Sequence, residues 1–198
     1  MGFWPGAQAA TEPVVLVLGD SLSAEYGLRR GSGWVALLSA QLAQERRALR
    51  VVNASVSGDT TSGGRSRLPA LLAQHRPAVL VLELGGNDAL RGLPLEMTRA
   101  NLAAMARAGR EAGARVLLLG MEMPPNYGAR YAADFRRVFT DVARQEATGL
   151  VPFFLRGVAD GPNPVALFQA DRIHPNEQAQ AQMRDNVWPE LRKLLPRR

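Results

Sequence analysis

Short apolar runs alternate with segments of helical periodicity along this chain, and that alternation restricts the folds it can adopt. Val14 to Leu18 is an unbroken run of valine and leucine of strand length, which is typical of a strand buried on both faces. From Trp34 to Leu42, large apolar residues then recur at the spacing of one helix face. The repeated pattern predicts further strands at Arg50 to Ala54, Ala78 to Leu84, Arg115 to Leu119 and Leu150 to Phe154, with helices around Arg65 to Gln74, Thr98 to Glu111 and Tyr131 to Val142 and after Pro175.

Strands of this kind that alternate with helices predict an α/β fold, a three-layer α/β/α sandwich around a five-stranded parallel sheet. We expect the flavodoxin-like strand order 2-1-3-4-5. The 198 residues fit one domain, which we place at residues 13–198 behind a tail of residues 1–12. Ligands of such sheets bind beyond the carboxyl ends of the strands. The loops after strands one, two, three and five should therefore hold the site.

The net charge of the chain is +6, but this value alone does not indicate a nucleic-acid partner. Lys193 is the only lysine, and the other 23 of the 24 basic residues are arginines that are scattered through every segment. Scattered arginines favour solvated helix faces over a nucleic-acid interface. We expect a monomer without a nucleic-acid partner, and transient contact with an acidic membrane surface stays open. The absence of cysteine excludes thiol chemistry and zinc fingers.

The amino-terminal tail resembles the end of a secretory signal in its small residues, from Gly6 to Ala10. It lacks the basic start and the long apolar stretch of a complete signal. A trimmed signal and residues left by an expression vector both fit. We expect a periplasmic or secreted protein, with a cytoplasmic one as the alternative.

Three residues could form a nucleophile, a base and its orienting carboxylate. Ser21 directly follows the first strand on a glycine-containing turn, where a serine is either an exposed nucleophile or a helix cap. Asp171 and His174 stand three residues apart before the last helix, and a serine nucleophile needs such a base and partner. The other histidine, His75, lies at the amino end of a strand and should be structural.

Two further residues could bind the oxyanion that forms during attack on an ester. Gly58 follows the second strand and can offer an unobstructed backbone N–H. Asn87 follows the third strand and can offer its side-chain amide. Both residue types also serve ordinary turns.

Four short motifs together resemble the four blocks of the SGNH (GDSL) hydrolases: Gly19-Asp20-Ser21-Leu22, Gly58, Gly86-Asn87-Asp88 and Asp171-Arg172-Ile173-His174. The resemblance covers about residues 14 to 195. Asn53 to Thr61 and Pro124 to Gly128 resemble a bacterial subgroup of thioesterases, lysophospholipases and arylesterases, which are typically exported.

The resemblance implies a serine esterase with the SGNH hydrolase fold and no cofactor. The resemblance implies that Ser21 is the nucleophile, that His174 is the base and that Asp171 is the partner of this base. The N–H groups of Ser21 and Gly58 and the amide of Asn87 would form the oxyanion hole. The substrate would be a small-molecule acyl ester or thioester.

Two loops carry apolar residues that could hold an acyl chain. Asp88 to Glu96 contains Leu90, Leu93 and Leu95, and we predict that it forms a mobile flap over the chain. The second loop supplies Met123, Pro125 and Tyr127. Core contacts beneath the loops are an equally open interpretation.

Four other functions compete with acyl-ester hydrolysis. Carbohydrate O-acetyl ester hydrolysis uses the same site residues. A metal hydrolase could use Asp20, Asp171, His174 and Asn87, although the donor set is thin. A cationic binding module leaves the four motifs unexplained. Gly31 to Ala36 spells a dinucleotide-like G-x-G-x-x-A, but it lies too far beyond the first strand.

Overall fold

A computed structural model of the protein describes residues 12–45, 47–123 and 125–197. Within them, five parallel strands form one sheet in the order β2-β1-β3-β4-β5. The predicted strand order is therefore confirmed. The strands are β1 (Val14–Gly19), β2 (Arg50–Asn53), β3 (Val79–Glu83), β4 (Arg115–Leu119) and β5 (Gly149–Val151).

Helices cover both faces of this sheet, as the alternating pattern predicts. One layer is formed by α1 and α6, which contact each other, and the other by α2, α4 and α5. The short α3 joins β3 to α4. The helices are α1 (Trp34–Gln44), α2 (Thr61–His75), α3 (Gly86–Leu90), α4 (Leu95–Glu111), α5 (Ala129–Gln145) and α6 (Gln180–Leu194).

The core lies mainly on β1 and β3, two of the three inner strands, because both are buried along their whole length. Full burial of a valine or leucine side chain contributes about 1.5–3 kcal/mol, so these strands supply much of the driving force for folding. Helix α2 packs closely over them at Gly64, where an added Cβ would lie only 2.3 Å from Leu84 Cδ1. This contact brings the amino end of α2 against the carboxyl ends of the inner strands.

One predicted boundary is wrong for an identifiable reason. The fifth strand ends at Val151 instead of Phe154, because Pro152 has no N–H for the ladder. The last helix begins after Pro175, as predicted, and Pro175 itself forms an isolated antiparallel bridge with Phe168. A 3₁₀ turn at Glu177–Ala179 comes first.

The predicted flap of residues 88–96 is not one loop. Its first three residues end α3, and Leu95 begins α4. Only a four-residue connection, residues 91–94, separates the two helices.

The predicted tail falls almost entirely on residues 1–11, which lie outside the described residues. Export therefore stays a prediction. Along the part of the chain that the structure describes, none of the helices has the length and apolar character to cross a bilayer.

Candidate active site

The turn after β1 holds Ser21 at the carboxyl edge of the sheet. The Asp20 carboxylate accepts the Leu22 N–H at 3.0 Å, and the Ala24 N–H bonds back to the Asp20 carbonyl at 2.9 Å. Gly19 has no room for a side chain, because a Cβ there would lie 2.7 Å from Glu83 Oε2. The close strand contact and the turn bonds together fix the direction of the serine.

Ser21, His174 and Asp171 are joined by two hydrogen bonds. The Ser21 Oγ lies 2.9 Å from Nε2 of His174, and Nδ1 of the same ring lies 2.7 Å from Oδ2 of Asp171. The ring thus contacts the serine with one nitrogen and the carboxylate with the other. This is the arrangement in which a histidine can remove a proton from a serine hydroxyl.

The turn that carries the histidine is shaped by the Asp171 carboxylate. Its Oδ1 accepts the N–H groups of Ile173 at 2.9 Å and His174 at 3.0 Å, across Arg172 with its φ of 57°. The hydrogen bond from the His174 N–H, followed by the one from the imidazole, lowers the pKa of Asp171 to about 2. The carboxylate is therefore ionised beside the ring at neutral pH.

Contacts from two other residues hold the histidine loop against the nucleophile loop. Gln169 donates its side-chain amide to the Tyr26 carbonyl at 2.8 Å, and its own N–H bonds to the His174 carbonyl at 2.8 Å. The Tyr26 ring lies 4.3 Å from the His174 ring, centroid to centroid. Neither residue was predicted to belong to the site, because neither is part of a short motif.

A buried carboxyl pair lies directly beneath the nucleophile turn. Glu83, at the end of β3, is 1% exposed, and its Oε2 accepts the Asp20 N–H at 3.2 Å and the Ser23 hydroxyl at 2.8 Å. Burial is the largest cause that raises the pKa of Asp20, to about 6, and the pKa of Glu83 well above its usual value. Glu83 was not predicted to belong to the site, although a charged residue in an apolar run is a visible signal.

The two residues predicted for the oxyanion hole lie on neighbouring loops. Gly58 has a φ of 79°, a conformation that glycine adopts readily, and its carbonyl accepts Arg91 Nη2 at 2.8 Å. Asn87 donates one amide hydrogen to Asp20 Oδ2 at 3.0 Å, which leaves its second N–H for a ligand. Among the described residues, the backbone N–H groups of Ser21 and Gly58 have no hydrogen-bond acceptor, so both are free to bind a ligand.

Asp88 anchors the helix turn that carries Asn87. Its carboxylate accepts both the hydroxyl and the N–H of Thr61 at the start of α2, the latter at 2.9 Å. Thr98 of α4 donates to the same carboxylate at 3.3 Å. The position of Asn87 is thus tied to two long helices.

The predicted acyl-binding residues are divided between surface and core. Leu90 and Tyr127 are 45% and 40% exposed, and Leu93 is half-buried. Leu95 packs against the core as the first residue of α4, and Met123 lies in the connection after β4 but its side chain is buried. The backbone of Pro125 belongs to a 3₁₀ turn, and its side chain lies outside the description.

The second histidine and the rival metal ligands do not add to this site. His75 is the last residue of α2 and lines a surface cavity of about 630 Å³ at the opposite, amino-terminal edge of the sheet. Asp20 and Asp171 use their oxygens on the hydrogen bonds given above. Within residues 12–45, 47–123 and 125–197, no three histidine or carboxylate side chains are grouped so that they could hold a metal ion.

The chain is similar to known proteins along most of its length. The model of the GDSL-like Lipase/Acylhydrolase family matches residues 17–182. Esterase TesA of Pseudomonas aeruginosa is 54% identical over 188 residues, which cover 95% of this chain and 92% of that protein. Thioesterase 1/protease 1/lysophospholipase L1 of Escherichia coli K12 is 39% identical over 188 residues, which cover 95% of this chain and 88% of that protein. A crystal structure of TesA matches with a TM-score of 0.88 and 55% identity, over 92% of this chain and 99% of that one.

Proposed function

Because this chain belongs to the GDSL-like lipase/acylhydrolase family, we propose that it hydrolyses carboxylic esters and thioesters of acyl chains through an acyl-enzyme. The membership confirms the resemblance found in the four sequence motifs. The continuous hydrogen-bonded path from Ser21 through His174 to Asp171 is the observation that carries the proposal.

The first half of the reaction transfers the acyl group to the serine. His174 Nε2 accepts the Ser21 proton as Oγ attacks the acyl carbonyl carbon, and the ring then gives that proton to the departing alkoxide or thiolate. Asp171 stabilises the imidazolium that exists between these transfers. Its low pKa, about 2, keeps it charged while the ring gains and loses the proton.

The second half releases the acid. His174 accepts a proton from water, the resulting hydroxide attacks the acyl carbon, and the proton returns to Ser21 as the bond to Oγ breaks. In both halves the carbonyl oxygen becomes negatively charged. The free N–H groups of Ser21 and Gly58 and the amide of Asn87 are donors for that charge, already oriented before the substrate arrives.

The apolar surface around the serine supports an acyl substrate. In the described part of the chain, the large apolar side chains that are exposed all lie on segments that follow the carboxyl ends of strands. The triad lies at this same edge of the sheet. The side chains are those of Tyr26, Val56, Leu90, Tyr127, Val165 and Ile173. Contact with an acyl chain gains about 0.8 kcal/mol per methylene group. The same surface supports transient contact with a lipid layer by a monomeric enzyme, and the names of the relatives support both oxyester and thioester substrates.

The decisive experiment is substitution of the nucleophile. Ser21→Ala should lower kcat by about three orders of magnitude or more, because a triad acts as a unit. A fluorophosphonate should label Ser21 in the wild type and in the control Ser62→Ala, whose serine is exposed on α2. A Ser21→Ala variant that keeps more than about a tenth of the wild-type rate would contradict the mechanism.

A panel of esters then tests the substrate class. Acetyl to dodecanoyl oxyesters and thioesters should show kcat/KM rising with chain length until the apolar surface is filled. Activity on acetylated sugars that exceeds activity on every acyl ester would favour the carbohydrate esterase instead.

A further inference from the structure

The buried pair of Glu83 and Asp20 has a place in the site that the triad does not explain. Glu83 forms no hydrogen bond with Ser21, His174 or Asp171, yet it accepts the N–H of Asp20, which precedes Ser21, and the hydroxyl of Ser23, which lies two residues after Ser21. The Trp34 indole donates to that same hydroxyl at 3.1 Å, and the Ser23 carbonyl accepts the Asn53 amide at 2.7 Å. The turn around the serine is thus held from below by side chains of β3, α1 and β2.

Asp20 connects this support to the oxyanion hole. One carboxylate oxygen accepts the Leu22 N–H and the other accepts the Asn87 amide. Glu83 in turn accepts the Asp20 N–H, and, beyond the effect of burial, the charge of the Asp20 carboxylate raises the pKa of Glu83 further. A displacement of Glu83 would therefore reach both the serine turn and Asn87.

Two neighbouring carboxyl groups that are both buried inside a protein cannot both carry a charge at low cost. Glu83 and Asp20 are 1% and 3% exposed. Among the described residues, no arginine or lysine faces the pair, and the one basic group that acts on it is His174, which interacts with Asp20 from the opposite loop. A carboxyl proton on Glu83 would be donated to Asp20, and the single charge would stay on the oxygens that face Leu22 and Asn87.

We propose that Glu83 is a positioning residue, which shares one proton with Asp20 and thereby holds the serine turn and the Asn87 amide in their reactive directions. The proposal rests on the proposed esterase function. It assigns Glu83 a neutral, donating role and leaves Asp20 as the acceptor that aims Asn87.

The substitutions Glu83→Gln and Glu83→Ala distinguish a positioning role of Glu83 from a role in packing alone. Glu83→Gln keeps an oxygen for the two donors and presents an N–H to Asp20, so it imitates the protonated acid. We expect kcat at pH 7 within about threefold of the wild type. Glu83→Ala removes all of these bonds and should lower kcat on the order of 10- to 100-fold with KM nearly unchanged, because the lost orientation matters most in the transition state.

Infrared spectroscopy tests the shared proton without any turnover. The difference spectrum between wild type and Glu83→Gln at pH 7 should contain the carbonyl band of a protonated carboxyl group, also in a Ser21→Ala background. Absence of that band overturns the shared proton, and equal loss of kcat in Glu83→Gln and Glu83→Ala overturns the positioning role. If Glu83→Ala does not fold, the band and the kcat of Glu83→Gln still decide. Failure of the esterase function itself would appear as an unaffected rate in Ser21→Ala, which leaves the infrared result intact.

Discussion

Burial of the Asp20 carboxyl should make the stability of this enzyme decline as pH rises. Its pKa is about 6 in the folded protein against an ordinary 3.8, because burial disfavours the charged form. The folded state therefore holds the proton more tightly than the unfolded chain. This contribution to the free energy of unfolding is complete below pH 3.8 and is lost as pH rises through about 6. A difference of about two pKa units corresponds to about 3 kcal/mol.

The substitution Asp20→Asn tests this pH-dependent contribution to the free energy of unfolding. The amide has one oxygen for the two donors, Leu22 and Asn87, so the substitution should cost about 1–3 kcal/mol at pH 4, where the wild-type carboxyl is protonated in the fold. At pH 8 the variant escapes the ionisation cost. From pH 4 to pH 8, the free energy of unfolding of Asp20→Asn should therefore rise by about 3 kcal/mol relative to that of the wild type. For a domain of this size, this change corresponds to about 6–12 °C in the Tm of the variant relative to the wild type.

Thermal and urea unfolding of both proteins at constant ionic strength measure this shift. Asp141→Asn is a control of opposite sign, because the Arg99 hydrogen bond lowers the pKa of Asp141. The loss from that substitution should be present above the ordinary pKa of aspartate and disappear as pH falls. An Asp20→Asn variant that is destabilised equally at pH 4 and pH 8 would refute the reasoning.

Two further substitutions probe the oxyanion hole and the acyl surface. Asn87→Ala should lower kcat roughly 100- to 1000-fold with little change in KM, since the amide acts on charge that develops in the transition state; a change in KM alone would make Asn87 a substrate-binding residue. Replacement of Leu90 and Leu93 by serine, with Leu95 kept because it packs on the core, should flatten the preference for octanoyl over acetyl esters and spare acetyl turnover. An unchanged chain-length profile would move the acyl site toward Tyr127.

The positions of the strands and the grouping of Ser21, His174 and Asp171 could be predicted from sequence because both leave local signals. Buried strands appear as apolar runs, and only His174 and His75 could supply a base. Glu83 is visible as a charged residue in an apolar run, but its contact with the serine turn leaves no local signal. Glu83 meets the serine turn only because Gly19 is its register partner in the neighbouring strand, and register is a property of the assembled sheet.

The segment 88–96 shows a second limit of sequence reasoning. Glycines and a proline around the leucines favour a loop, yet residues 86–90 are helical. The anchor is the Asp88 carboxylate on Thr61, a residue 27 positions earlier in the chain. A tertiary contact of this kind overrides local preference, and a short sequence window does not contain it.

The distance along the chain between the proposed nucleophile and its proposed base limits when the enzyme can first act. Ser21 and His174 are 153 residues apart, and the histidine precedes α6. At about 5–20 residues per second, a ribosome delivers the histidine about 8 to 30 s after the serine. A nascent chain can already pair its central strands during that interval, but it carries a serine without a base. We therefore expect no ester hydrolysis before His174 has been made, and we expect a shorter product that lacks this residue to be inactive.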